Sequence, residues 1–305
     1  RRRQRFRLRR LGELFVERLE AAEDLPVELV CRRAIRFVLR QLLARFANRP
    51  AFSEVPAAAA QIIRSGFIDT VGTMLAGGDE PVVRMVRQHV EARQSNARES
   101  SVLLNAARVC AQDAALVNGT AAHVLDFDNT ARHMSGHVSA TIVPALIAAA
   151  EQFGCNGRNV LLAHVAGFET GARIGRGVNE YHSQKGWHPT ATLGVFAVAA
   201  ACARLLGLTV DQTETALALS TSLAAGTKAN FGTMTKSLHA GQCARGGLMA
   251  ALLARKGYTA NPDAFEHKQG FFRVFNGDGN YDAASVVASW GTPFDIVAPG
   301  ASYKQ

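Results

Sequence analysis

Cysteine is scarce and scattered: five residues among 305, Cys31, Cys110, Cys155, Cys202 and Cys243, with no C-x-x-C pair and no histidine at ligand spacing beside them. That pattern argues against a zinc cage or an iron–sulfur cluster. An odd number of separated thiols points to reduced cysteines in a cytoplasm, most of them small buried apolar residues. Charge is sparse as well, 19% of residues against 48% hydrophobic, so disorder of the whole is excluded. Long apolar runs are missing; Gly194 to Ala203 falls far short of the roughly 18 residues a membrane span needs, and no membrane partner is expected. Alternating β patterns are nearly absent before residue 270, with Ser101 to Leu104 the one short candidate.

What is present in excess is positive charge, and it is local. Residues 1–50 hold fourteen Arg, no Lys and six acids, a balance of +8 out of a net +9. The basicity therefore belongs mostly to an N-terminal extension, residues 1–42, with Arg45 and Arg49 just after it, and not to the rest of the protein. An arginine block can contact phosphates, whereas transit peptides are poor in acids and this one contains Glu13, Glu17, Glu20, Glu23, Asp24 and Glu28. The expectation is a solvated helix or irregular extension, with nucleic acid not the expected partner. The chain begins with Arg1 instead of Met, which reads as a fragment.

From about residue 55 glycine punctuates helical text. Apolar segments run over Val55 to Ala76, Ala106 to Val124, Ala140 to Phe153, Arg158 to Arg176, Ala191 to Leu206 and His239 to Arg255. Thr209-Val-Asp-Gln212 has the form of a capping box, and the helix it opens is expected to end near Gly226. Several segments are apolar almost all round, as helices buried in a large bundle are. After Gly257 the composition shifts to Asn, Gly, Asp and aromatic residues, and Trp290 to Val297 reads as the start of a strand. The fold class expected is mainly α: an all-helical domain over 43–270 and the start of a truncated α+β lid domain over 271–305.

Three polar clusters could carry chemistry. Asn118 to Thr130, followed by Arg132, His133 and His137, gathers His123, Asp126 and Asp128 at the end of an apolar helix and supplies several acid/base groups at once. Gly186-Trp-His188-Pro-Thr190 precedes another apolar helix, whose N-terminus favours an anion such as a carboxylate. Gly226 to His239 carries Lys236, which can hold a carboxylate as a point charge; no strand or glycine precedes Lys236-Ser237 as a phosphate loop requires. Asp126-Phe-Asp128-Asn-Thr130 also fits the D-x-D-x-T pattern of haloacid-dehalogenase-type phosphatases, with Gly277 to Asp282 as a late acidic motif, and both could hold magnesium. That fold needs each motif at a strand end, and the 146 residues between them read as helices.

Taken together, Asp69 to Gly77, Leu116 to Thr130, Gly186 to Gly194 and Gly232 to Gly241 resemble the 2-methylcitrate dehydratase (MmgE/PrpD) superfamily, in family order from about residue 43 onward. The resemblance implies a large helical domain with a smaller lid, a homodimer, no metal and no organic cofactor. It implies a small polycarboxylate as substrate, with Asp126, Thr130, His137 and His188 as catalytic residues and Lys236 and Lys304 as substrate-binding ones. Lys236, His188 and Lys304 would hold carboxylates, and His137, oriented by Asp126 and Thr130, would transfer the proton; the two histidines could exchange roles. Dehydration of the 2-methylcitrate type is the reaction expected, with cis-aconitate-type decarboxylation or iminodisuccinate-type epimerisation as alternatives and an inactive truncated helical fragment, or a nucleic-acid binder acting through the arginine tail, as a reading of another class. Asn129 replaces the second acid of the family's usual Asp-Asp-Thr, and Val138 stands where proline commonly follows the histidine.

Overall fold

The computed structural model describes residues 43–45, 47–48, 54–93, 96–105, 107–288 and 293–303. The arginine-rich residues 1–42 and Lys304 lie outside these. Helices dominate: α1 (Ala57–Gly77), α2 (Pro81–Glu91), α3 (Ala111–Val124), α4 (Val138–Phe153), α5 (Gly157–Val178), α6 (Tyr181–Gln184), α7 (Pro189–Thr192), α8 (Gly194–Leu205), α9 (Val210–Ser220), α10 (Thr235–Arg255), α11 (Phe271–Asn276) and α12 (Ala283–Val287). Among the described residues strands are reduced to two antiparallel pairs, β1 (Ser100–Ser101) with β2 (Arg108–Val109), and β3 (Thr130–Ala131) with β4 (Ala301–Ser302). The fold is mainly α, and among the described residues no helix is long and apolar enough to cross a membrane.

The core is built from small residues. Helix α3 is buried from Ala111 to His123 apart from Gln112, α8 along almost its whole length, and Arg173 and Glu169 of α5 are carried inside with the apolar side chains. Alanine and glycine let helix backbones approach closely. Where α10 crosses α3, a Cβ on Gly119 would stand 2.8 Å from the Gly241 Cα, and a Cβ on Gly241 would run into the Leu116 oxygen and the Thr120 hydroxyl. That contact brings the C-terminal half of α3 against the first turns of α10, which positions the site.

Boundaries moved where local chemistry overrode the pattern. The capping box at Thr209 is present, with the Thr209 hydroxyl accepting from Gln212 N at 3.2 Å and Gln212 Oε1 from Thr209 N at 3.0 Å. Its helix stops at Ser220, short of Gly226, in a series of turns. The apolar stretch from Ala191 breaks into α7 and α8 at Leu193, where a Cβ on Gly194 would meet Thr141 at 2.9 Å. Helix α2, opened by Pro81 at its first turn, has no counterpart in the apolar pattern. Ser101 pairs as expected, but Leu104 turns with φ 61° instead of extending.

The strand expected from Trp290 to Val297 does not form over its described part, 293–297. The reason is polar: the Asp295 and Ile296 N–H groups donate to the buried Glu169 carboxylate at 3.0 and 2.9 Å, and so are not available to a ladder. Asp295 itself meets Arg173 at 3.0 Å, Arg176 at 2.6 Å and His133 at 2.6 Å. This cluster ties the segment to α5, and the chain continues into β4 beside Thr130 and Ala131.

Candidate active site

Helix α3 ends at Val124, and Asp126 follows in the left-handed region with φ 57°. Aspartate tolerates that conformation better than most residues, and backbone strain of this kind collects at functional sites. The turn aims the Asp126 carboxylate at the first turn of α10, where Lys236 Nζ lies 2.6 Å from Oδ1. Phe231 faces the same ammonium, its ring centre 5.5 Å away.

Two residues further on, Asp128 is fully buried between two imidazoles. His123 Nδ1 sits 3.1 and 3.0 Å from its two oxygens, and His137 Nδ1 lies 2.9 Å from Oδ2 and 2.9 Å from the Asp128 backbone oxygen. Burial works against the Asp128 charge, but His123 and His137 outweigh it and hold the carboxyl well below its ordinary range. Burial also lowers the His123 imidazole, which Asp128 only partly offsets. His137 caps the N-terminus of α4; its N–H donates to Thr190 Oγ1 at 3.0 Å and its Nε2 stands 3.5 Å from Asp126 Oδ1. Gly136 permits this approach, since a Cβ there would be 2.8 Å from Thr190 N.

His188 enters from the third segment, just before Pro189 opens α7. Its N–H donates to Gly226 O at 3.0 Å, and Lys228 N to Gly186 O at 2.8 Å, so the loops carrying His188 and Lys236 are laced together. The His188 ring stacks on His123 at 5.7 Å, takes the edge of Phe231 at 4.8 Å and meets His239 through the two Nδ1 atoms at 3.1 Å. Desolvation, then the neighbouring imidazoles and Lys236, push His188 down to about 2. His239 is lowered too, mainly by burial.

A cavity of about 310 Å³ opens beside these groups, lined by the polar Glu80, His123 and Lys236 and the apolar Val82, Val124 and Met234 among others. Its size is at the small end for ligand cavities. Four sequence-selected residues thus converge: Asp126, His137, His188 and Lys236. Thr130 is instead engaged through its backbone in the β3–β4 pairing, and the hydroxyl that reaches the His137 loop belongs to Thr190. Lys304 is not among the described residues.

Asp128, His123, His239 and Thr190 complete the cluster and were outside the selected set. His239 was legible in principle, because it lies three residues after Lys236 on one helix and so on the same face. One donor atom each from His123, Asp126, Asp128 and His137 lies within 4.8 Å of the others, a grouping that could accommodate a cation. The carboxylates in it already face Lys236 and two imidazoles. The phosphatase-like pattern does not assemble: Asp126 and Asp128 follow a helix, Asp278 pairs with Arg273, and Asp282 caps α12.

Comparison with known proteins gives the family. Residues 41–284 match the MmgE/PrpD N-terminal domain. The chain is 33% identical over 209 residues to cis-aconitate decarboxylase of Homo sapiens, covering 67% of this chain and 43% of that protein. It is 31% identical over 239 residues to the cis-aconitate decarboxylase-like protein oryM of Aspergillus oryzae (75% and 49%), and 35% identical over 193 residues to cis-aconitate decarboxylase of Aspergillus terreus (59% and 39%). It therefore spans half or less of the length of these relatives. With the family model covering well over half of it, the chain belongs to the MmgE/PrpD family.

Proposed function

We propose that this protein is a lyase that acts on a small di- or tricarboxylate by moving a proton at a carbon next to a carboxylate. The observation that carries the reading is the convergence of Asp126, His137, His188 and Lys236, from three separated segments, on one cluster, which meets a cavity through Lys236 and His123. Lys236 offers a point charge to a substrate carboxylate and neutralises the charge that develops on it as the neighbouring carbon loses its proton. His137 takes that proton on Nε2, the nitrogen that faces Asp126 and not Asp128.

In a dehydration of the 2-methylcitrate type, the C–H electrons form the new double bond and the hydroxyl departs with a second proton as water. His188, bonded to His239, is placed to hand over that proton once a bound polyanion has favoured its charged form, and is left as the neutral imidazole. A second reading, decarboxylation, is favoured by the names of the curated relatives. There the carboxyl electrons remain on carbon as carbon dioxide leaves, and the same imidazole returns a proton to that carbon. The substrate-binding role of Lys304 and assembly as a homodimer remain part of the proposal through the family resemblance.

The test is a proton NMR assay of the full-length protein with 2-methylcitrate, cis-aconitate and iminodisuccinate. Loss of water, loss of carbon dioxide or epimerisation distinguishes the reactions. No turnover of any of the three would contradict the reading.

A further inference from the structure

Asp128 is the carboxylate of the cluster that water does not reach, and the polar partners of its side-chain oxygens are the two imidazoles beside it. A buried carboxylate needs donors for its lone pairs. His123 Nδ1 reaches both oxygens, and His137 Nδ1 lies between Oδ2 and the Asp128 backbone oxygen, so each of these nitrogens faces acceptors alone. A neutral imidazole has a single N–H, and the bond made by one ring nitrogen decides where it resides.

We propose that Asp128 and His123 form the positioning unit of the reacting imidazole: they fix the hydrogen of His137 on Nδ1 and leave Nε2 as the nitrogen where protons come and go. Nε2 points to the other side of the ring, 3.5 Å from Asp126 Oδ1, beyond a formed N–H···O bond. Asp126 in turn is held by Lys236, so the exchanging nitrogen faces the Asp126–Lys236 pair and not the buried acid. His123 pins the carboxylate from the opposite side. Its ring is buried, lies 4.6 Å from the His137 ring, and its own Nε2 has no hydrogen-bond partner. Burial, and to a smaller extent His137 and Lys236, disfavour the charged form of His123. It acts as a neutral brace.

That His137 is the reacting group rests on the function proposed above; the position of its hydrogen does not. The experiment is side-chain ¹⁵N NMR of the full chain without substrate, with His137 assigned by its loss in His137→Asn. Wild type is expected to show the Nδ1–H form for both His123 and His137. Asp128→Asn, whose amide can offer either a donor or an acceptor, is expected to lose that preference at His137, and Asp128→Glu to recover part of it. His123→Asn keeps a donor near the old Nδ1 and should preserve the His137 form, whereas His123→Ala should weaken it.

In turnover, Asp128→Asn is expected to lower kcat on the order of 10³-fold with a smaller change in KM, the pattern of a base held in the wrong tautomer. An Nε2–H His137 in wild type, or an unchanged Nδ1–H His137 in folded Asp128→Asn, would overturn the proposal. If Asp128→Asn does not fold, the wild-type spectrum and the two His123 variants decide. The expected spectra together with no turnover of any polycarboxylate would count against the proposed function and leave the positioning unit standing.

Discussion

Lys236 Nζ lies 2.6 Å from Asp126 Oδ1, which joins the start of α10 to the end of α3 across 110 residues of chain. In the ligand-free protein the ammonium is therefore already compensated, and an incoming carboxylate competes with Asp126 for it. Lys236→Met keeps the stem and removes the charge; kcat/KM is expected to fall by about 10²-fold or more while circular dichroism is unchanged. Asp126→Asn should have a different signature, because it frees Lys236 for the substrate: KM falls or holds while kcat drops. Equal kinetics in Lys236→Met and wild type would remove Lys236 from the site.

The same two helices meet through glycine. Gly241→Ala would push a methyl group into the Leu116 oxygen and the Thr120 hydroxyl, and is expected to cost about 1–3 kcal/mol in urea unfolding. Gly72→Ala, in an exposed helix position with nothing within 4 Å of the new atom, should instead stabilise by about 0.5–1 kcal/mol. Because Gly241 sets how Lys236 approaches Asp126, Gly241→Ala should also lose activity at temperatures where it remains folded.

Stability should depend on pH through Glu169. Burial, and then the Asp295 charge, push its carboxyl up to about 8 from an ordinary 4.5. Between those values the folded protein holds a proton that the unfolded chain has released, so this group's stabilising contribution falls as pH rises from about 4.5 to 8. Glu169→Gln keeps an acceptor for the Asp295 and Ile296 N–H groups and should flatten this part of the pH–stability curve. A curve of unchanged slope in Glu169→Gln would contradict the assignment.

Substrate binding should take up protons. His188 and His239 are both lowered in the free protein, chiefly by burial, and His188 further by its imidazole neighbours and Lys236. A bound polyanion favours their charged forms. Titration calorimetry of a polycarboxylate near pH 6.5, repeated in buffers of different ionisation enthalpy, should give net uptake of protons. Release, or no linkage, would show that the anion binds away from these rings.

Much of this was legible in the chain. Apolar text punctuated by glycine located the long helices, and the spacing at Thr209 gave its cap correctly, because both signals are local. Three polar clusters gave four of the converging side chains. What could not be read was which carboxylate serves which partner: Asp126 and Asp128 are two residues apart, and only the left-handed turn at Asp126 sends one to Lys236 and leaves the other between His123 and His137. The failed strand at 293–297 has the same origin, since its N–H groups answer to Glu169, more than 120 residues earlier. Long-range polar pairing leaves no periodic trace.

The most direct measurement follows hydrogen exchange at the substrate carbon. In deuterated solvent, the protein incubated with 2-methylcitrate or cis-aconitate should place deuterium at the carbon next to a carboxylate, in remaining substrate or in product, and folded His137→Ala should not. Deuterium incorporation at the wild-type rate in His137→Ala would contradict proton transfer by His137.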